Sequence, residues 1–292
     1  MKQYINHFWA GSIGFLLALT ACNSESDQPG GFSEKDIMTF DIMHPNQQSR
    51  LTDTSFEDDD QVGLYLTIHN VPLELSGNYG NNALLTYSFK KWKVNKPIYW
   101  NEGNYDVYAY YPYVPSPSSV DDFPVVVSTA QHEPANYASS DFLWAGKKNV
   151  QATDGTVTLK FQHCMSRMVI QLVKGEDFEG DLPDEAEVYI HSTISSATAD
   201  LNVGVVTRNQ YADPVTIRAK SLGGQRYAAI IVPQRINNRQ PLVEVVMKGV
   251  SYLYESKFLF KPGIQHNVTL AVSKNPEQVK IEIGGELENW EE

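Results

Sequence analysis

The chain has 292 residues, with 23 Lys and Arg against 35 Asp and Glu and a formal charge of −12. Neutralising nucleic-acid phosphates takes clustered cations, so this balance argues against nucleic acid as a partner, and it equally opposes electrostatic adhesion to anionic lipid. Abundant Tyr, Phe, Val, Ile and Thr, punctuated by 19 Gly and 15 Pro, point to strands rather than helices.

Lys2 precedes an apolar stretch from Phe8 to Leu19, which runs into Leu19-Thr20-Ala21-Cys22. A positive start, a short apolar middle and small residues at a cut make residues 1–21 a secretory signal, and a cysteine directly after the cut is the lipid acceptor of a bacterial lipoprotein. The alternative is a plain signal peptide with a chance cysteine. The run is shorter than the roughly 20 apolar residues that span a bilayer, so acyl chains on Cys22 are the expected anchor, at about 0.8 kcal/mol per buried CH₂. Acylated Cys22 leaves Cys164 without a partner, so the fold is expected to rely on its core, with Cys164 a small buried hydrophobe. Residues 22–35 are polar, contain Pro29-Gly30-Gly31 and read as a flexible tether.

In the first strand, over Asp36 to Met43, Met38, Phe40 and Ile42 alternate with Thr39 and Asp41. Glu57-Asp58-Asp59-Asp60 lacks the spacing of a calcium loop and reads as a solvated turn. Val62, Leu64, Leu66 and Ile68 line one face of the next strand. A strand near Leu84 to Phe89 follows, then the basic segment Lys90-Lys91-Trp92-Lys93. Tyr105 to Tyr113 is aromatic on both faces, which fits a strand covered on both sides, or a sugar-binding strip. A domain boundary is expected near Asp154-Gly155, giving an N-terminal sandwich over 36–154 and a C-terminal one over 155–292.

Val157, Leu159, Phe161, His163 and Met165 share one parity, and Met168, Ile170 and Leu172 the other. A straight strand cannot bury both sets on one face, so a bulge or break is expected at Met165-Ser166-Arg167, with His163 buried and hydrogen-bonded. Strands near Glu187–His191, Tyr227–Val232, Leu242–Lys248, Val250–Lys261, Asn267–Val272 and Val279–Ile283, with a hairpin turn at Gly249, indicate a second sandwich.

The chain carries no Gly-x-Ser-x-Gly elbow, glycine-rich phosphate loop or His-Glu-x-x-His, and the mature histidines are scattered without metal-ligand spacing. The expectation is no enzyme, no cofactor, and no catalytic or metal-ligating residue.

Several segments resemble the fimbrillin family of Bacteroidetes lipoproteins, the subunits of type V pili. They are Ser49-Arg50-Leu51-Thr52-Asp53-Thr54-Ser55-Phe56, Val62-Gly63-Leu64-Tyr65, Tyr105-Asp106-Val107-Tyr108-Ala109-Tyr110-Tyr111-Pro112, Ser140-Asp141-Phe142-Leu143-Trp144-Ala145, Leu159 to Arg167, and Ile231-Val232-Pro233-Gln234. The order is the family's and spans nearly the whole mature chain; Leu51 departs from a frequent alanine, and Asp60-Gln61 from a Gly-Asp-like turn. The resemblance implies an all-β fold of two tandem transthyretin-like (Ig-like) β-sandwich domains after a lipoprotein signal and short linker. It also implies a cut after Arg50, with Leu51 the new first residue, which displaces the strand carrying Met38, Phe40 and Ile42. The implied partners are other pilin subunits by β-strand addition, the outer membrane through the lipid anchor, and a ligand on a host or bacterial surface. The thin apolar content of Gly284 to Glu292 favours a tip or accessory subunit over a stalk. The rival from another class is a cell-surface glycan-binding lipoprotein, which exposed coplanar aromatics would favour.

Overall fold

The computed structural model describes residues 36–45, 56–274, 280–282 and 287–289. Cys22, Arg50 and Leu51 lie outside the described residues. Runs rich in β-branched and aromatic residues, closed by Gly, Asn and Pro turns, form strands through most of the chain. A short helix, Pro134–Ser139, opens on a proline whose fixed φ suits a first helical turn.

One six-stranded antiparallel sheet has the order Lys91–Val94, Gly80–Ser88, Gln61–Ile68, Tyr105–Tyr111, Leu143–Val150, Gln162–His163. A second large sheet runs Lys220–Gly223, Arg226–Ile231, Ser166–Lys174, Ile264–Val272, Lys280–Glu282, and Leu287–Asn289 also pairs with Ile264–Val272. Val215–Arg218, Glu187–Thr193, Gln234–Met247 and Val250–Phe260 make a four-stranded sheet, and Val205–Arg208, Ser196–Asp200 and Phe123–Val126 a three-stranded one. The remaining pair is Phe40–Met43 with Val157–Lys160, in parallel.

This corrects the expectation of two tandem transthyretin-like (Ig-like) sandwiches. The all-β, mostly antiparallel fold is arranged as a four-bladed β-propeller. The sheets are unequal in size, and Ser166–Lys174 lies parallel to Ile264–Val272 within one of them. Strand spacing reports where strands and turns fall; it does not report which strands pair. Here Phe40–Met43 pairs with Val157–Lys160, Leu143–Val150 with Gln162–His163, and Phe123–Val126 with Ser196–Asp200, so residues on both sides of Asp154 share sheets.

The parity switch, expected at Met165-Ser166-Arg167, has its cause in a change of sheet between His163 and Ser166. Gln162–His163 ends one sheet, the Cys164 amide donates to the Phe142 carbonyl (3.0 Å), and Ser166 starts a strand of another. The two sets face different apolar clusters: Val157, Leu159 and Phe161 one, and Met168, Ile170 and Leu172 the other, which Met165 joins beyond the change of sheet. Tyr105–Tyr110 is buried on both faces, so that aromatic run is not a surface platform. Ile68, at the end of its strand, is 58% exposed, whereas Tyr65, on the other face, is fully buried.

At the Ser88–Lys91 hairpin, Phe89 (φ 51°) and Lys90 (φ 61°) both occupy the left-handed region, and the Phe89 ring is 82% exposed. Asn-Gly is the pair such a two-residue turn favours. Replacing Phe89 with Asn and Lys90 with Gly is expected to raise stability by about 1 kcal/mol, read as a higher midpoint in thermal unfolding.

The N-terminal strand and its groove as the candidate functional site

The residues that resemblance singled out as a removable strand form a built-in one. Met38, Phe40 and Ile42 are 1%, 7% and 2% exposed, while Thr39 and Asp41 between them face water. The three side chains enter an apolar cluster with Val62, Leu64, Leu66, Leu85, Val107 and Leu159. Period-two alternation puts them on one face, and that face closes the cluster.

The backbone of this segment is held along both sides. On one side the Met38 amide donates to the Ile98 carbonyl (2.7 Å) and the Trp100 amide to the Asp36 carbonyl (2.6 Å), around an antiparallel bridge of Ile37 with Tyr99. On the other, Phe40 to Met43 register with Val157 to Lys160, flanked by Val157 N–H to Thr39 O (2.8 Å) and Phe161 N–H to Met43 O (3.0 Å). The Trp92 indole donates to the Ile42 carbonyl (3.0 Å), and the hydroxyls of Thr39 and Thr156 lie 2.9 Å apart. Sequence reading did not assign Ile98–Trp100, Trp92 or Val157–Lys160 to this groove. The alternation of Val157, Leu159 and Phe161, matching that of Met38, Phe40 and Ile42, was the available signal.

His44 follows the strand and is 5% exposed, its ring edge-on to Phe56 at 4.9 Å and to His163 at 5.8 Å. Phe56 also touches Trp92, Tyr87, Tyr111 and Phe161, so an aromatic knot caps the end of the groove. Beside it opens a cleft of about 270 Å³, lined by His44, Asp60, Tyr111, Tyr137, Asp141 and Lys220 among others. His163 is buried and bonded through Nδ1 to Asp141 (3.0 Å).

Other titratable groups are arranged as local pairs: His69 and Lys148 with Asp106, and His191 with Glu244. Among the described residues no group of three or more His, Cys, Asp or Glu has the geometry to hold a metal ion. Glu57 to Asp60 form a turn in which the Asp60 carboxylate accepts from the Glu57 amide (2.8 Å). Burial pushes the Cys164 thiol far above its ordinary range, with the negative charge of Asp141 adding to the effect, which suits packing and not nucleophilic chemistry. The exposed large aromatics among the described residues, Tyr79, Phe89 and Tyr211, make no ring contact with one another. They do not form the coplanar platform a glycan binder would use.

The family model described as Fimbrillin-like matches residues 49–290. A solved structure from Bacteroides uniformis, of a protein assigned to cell adhesion, is 18% identical, with a TM-score of 0.68 over 89% of this chain and 100% of that one. A second cell-adhesion assignment, from Bacteroides ovatus, is also 18% identical, with a TM-score of 0.69 over 87% of this chain and 96% of that one. A fimbrial protein from Bacteroides vulgatus is 12% identical, with a TM-score of 0.54 over 87% of this chain and 99% of that one. No curated protein matches the sequence.

Phe40→Ala removes a ring from the closed cluster and is expected to cost about 3–5 kcal/mol. Asp41→Ala, one residue on but facing water, should stay within about 0.5 kcal/mol of the parent. Urea denaturation of the two variants checks the contrast.

Proposed function

The chain belongs to the fimbrillin-like family, and from that premise we propose that it is a pilus subunit whose first strand is removed by a cut after Arg50 and replaced by a strand of a neighbouring subunit. Family membership makes it a fimbrial, adhesion-class lipoprotein of the outer membrane and cell surface, with a structural and not a catalytic role. Acylation at Cys22 is the anchor in this reading.

The observation that carries the proposal is the burial of Met38, Phe40 and Ile42 by a strand that lies ahead of the proposed cut. Loss of residues 22–50 would uncover an apolar trough and strip partners from the Val157, Phe161 and Trp100 amides and the Ile98 carbonyl. An uncovered sheet edge is a template for β-addition. Three such side chains contribute on the order of 5–8 kcal/mol on burial before ordering costs, so an incoming strand with the same alternation would be held firmly. The tail supports a tip or accessory role: Lys280–Glu282 and Leu287–Asn289 pair with Ile264–Val272, and a donor tail would have to leave that edge. A surface ligand of the host or of another bacterium would then be met by the distal subunit.

Digestion of the protein with a trypsin-like protease is expected to give a product starting at Leu51 that assembles into filaments by electron microscopy. Arg50→Ala should leave the first strand attached and the protein monomeric. A cut product that stays monomeric and binds a polysaccharide would favour the glycan-binding reading instead.

A further inference from the structure

Val250–Phe260 is the last strand of its four-stranded sheet. One edge pairs with Gln234–Met247, and among the described residues no strand pairs with the other. The two register shifts of this hairpin put the extra residues on Gln234–Met247, so Val250–Phe260 itself alternates without a break over 11 residues. Ser251, Leu253, Glu255, Lys257 and Leu259 are exposed on the outer face; Tyr252, Tyr254 and Phe260 are buried on the inner one, with Ser256 and Phe258 half-buried. An open edge of this length is a template for another strand, and proteins blunt such edges with bulges or charges.

The charges here do not blunt it against its own copy. They are opposite in sign and stand two residues apart, on either side of Ser256. Laid antiparallel against a second copy with the two-fold axis at Ser256, the strand sets Glu255 opposite Lys257 and Lys257 opposite Glu255. Leu253 meets Leu259 on the same outer face, and Tyr254 meets Phe258 on the inner one. Every pair joins residues of like parity, so the two inner faces stay on one side of the joined sheet. The Ser256 hydroxyl folds back on the Lys257 carbonyl (3.0 Å), which puts a small side chain at the axis. Moving the axis to Glu255 or to Lys257 sets like charges opposite each other and turns the leucines towards charges, both of which destabilise the pairing.

We propose that Val250–Phe260 is a docking edge for a second copy of this chain, in the register centred on Ser256, joining two four-stranded sheets into one of eight strands. A surface that pairs with itself about a two-fold axis closes at two copies, so this contact makes a dimer and not a filament. It uses none of the main-chain partners of the first strand and does not rest on the strand-replacement reading.

Sedimentation velocity on the uncut mature chain, with Cys22→Ser so that lipid does not drive association, tests the contact. The parent is expected to pass from monomer to dimer, and no further, at concentrations below about 0.2 mM, as suits a small interface. Glu255→Lys alone and Lys257→Glu alone each set like charges opposite one another twice per dimer, and each should weaken association about tenfold or more. Both side chains are exposed, so both variants are expected to fold as the parent does. An equimolar mixture of the two variants again sets every lysine opposite a glutamate and should dimerise about as the parent does. A parent that stays monomeric, single variants that associate as the parent does, or a mixture no stronger than either variant alone overturns the proposal. Filament formation after protease cutting reads the strand-replacement proposal separately, because neither substitution touches the first strand or its groove.

Discussion

The structure depends on one closure: an N-terminal segment seals an apolar trough that the rest of the chain cannot seal alone. Three side chains on one face supply the apolar contact, and main-chain bonds to Ile98–Trp100 and Val157–Phe161 fix the position along both sides. The closure is modular. Its chemistry is an alternating apolar face and an extended backbone, neither of which requires these particular residues. Any segment of the same pattern would meet the same main-chain partners.

Ties that bypass the first strand hold the remaining body together. The buried Gln131 side chain acts as a stand-in peptide, donating to the Ile230 carbonyl (2.7 Å) and accepting from the Ile230 amide (2.8 Å). Gln234 does the same for Ile194, at 3.1 and 2.9 Å. The Trp144 indole donates to the Leu201 carbonyl (2.8 Å) and fills the space over Gly204, where a Cβ would come within 2.4 Å of the ring. Buried amides paired at both ends are costly to break, because each half left alone is an unsatisfied polar group. None of these contacts involves residues 36–43.

What the sequence disclosed follows the range of the interaction. Alternation at Met38, Phe40 and Ile42 is a local pattern, and it placed the buried face correctly; the parity switch at Met165-Ser166-Arg167 is local too, and it falls next to the break between sheets. Pairing is not local. Nothing near residue 40 announces Val157 as its neighbour, and the arrangement of the sheets was misjudged for that reason. Asn237-Asn238-Arg239-Gln240-Pro241 falls between the expected strands near Tyr227–Val232 and Leu242–Lys248, yet it lies within Gln234–Met247, whose partner Val250–Phe260 carries it through two register shifts. The long hairpin overrode poor local propensity. The helix at Pro134–Ser139 is too short to show a period. His44 stood in a polar stretch with no mark of burial, because its aromatic neighbours come from distant segments.

The first strand's hydroxyl at Thr39 meets Thr156 across 117 residues of chain. Closing so long a loop is entropically slow and waits on both partners. On a chain emerging from its amino terminus, Phe40 appears early and its partner near Val157 only after more than half of the polypeptide has been made. Phe40 is thus made long before the groove that receives it is complete.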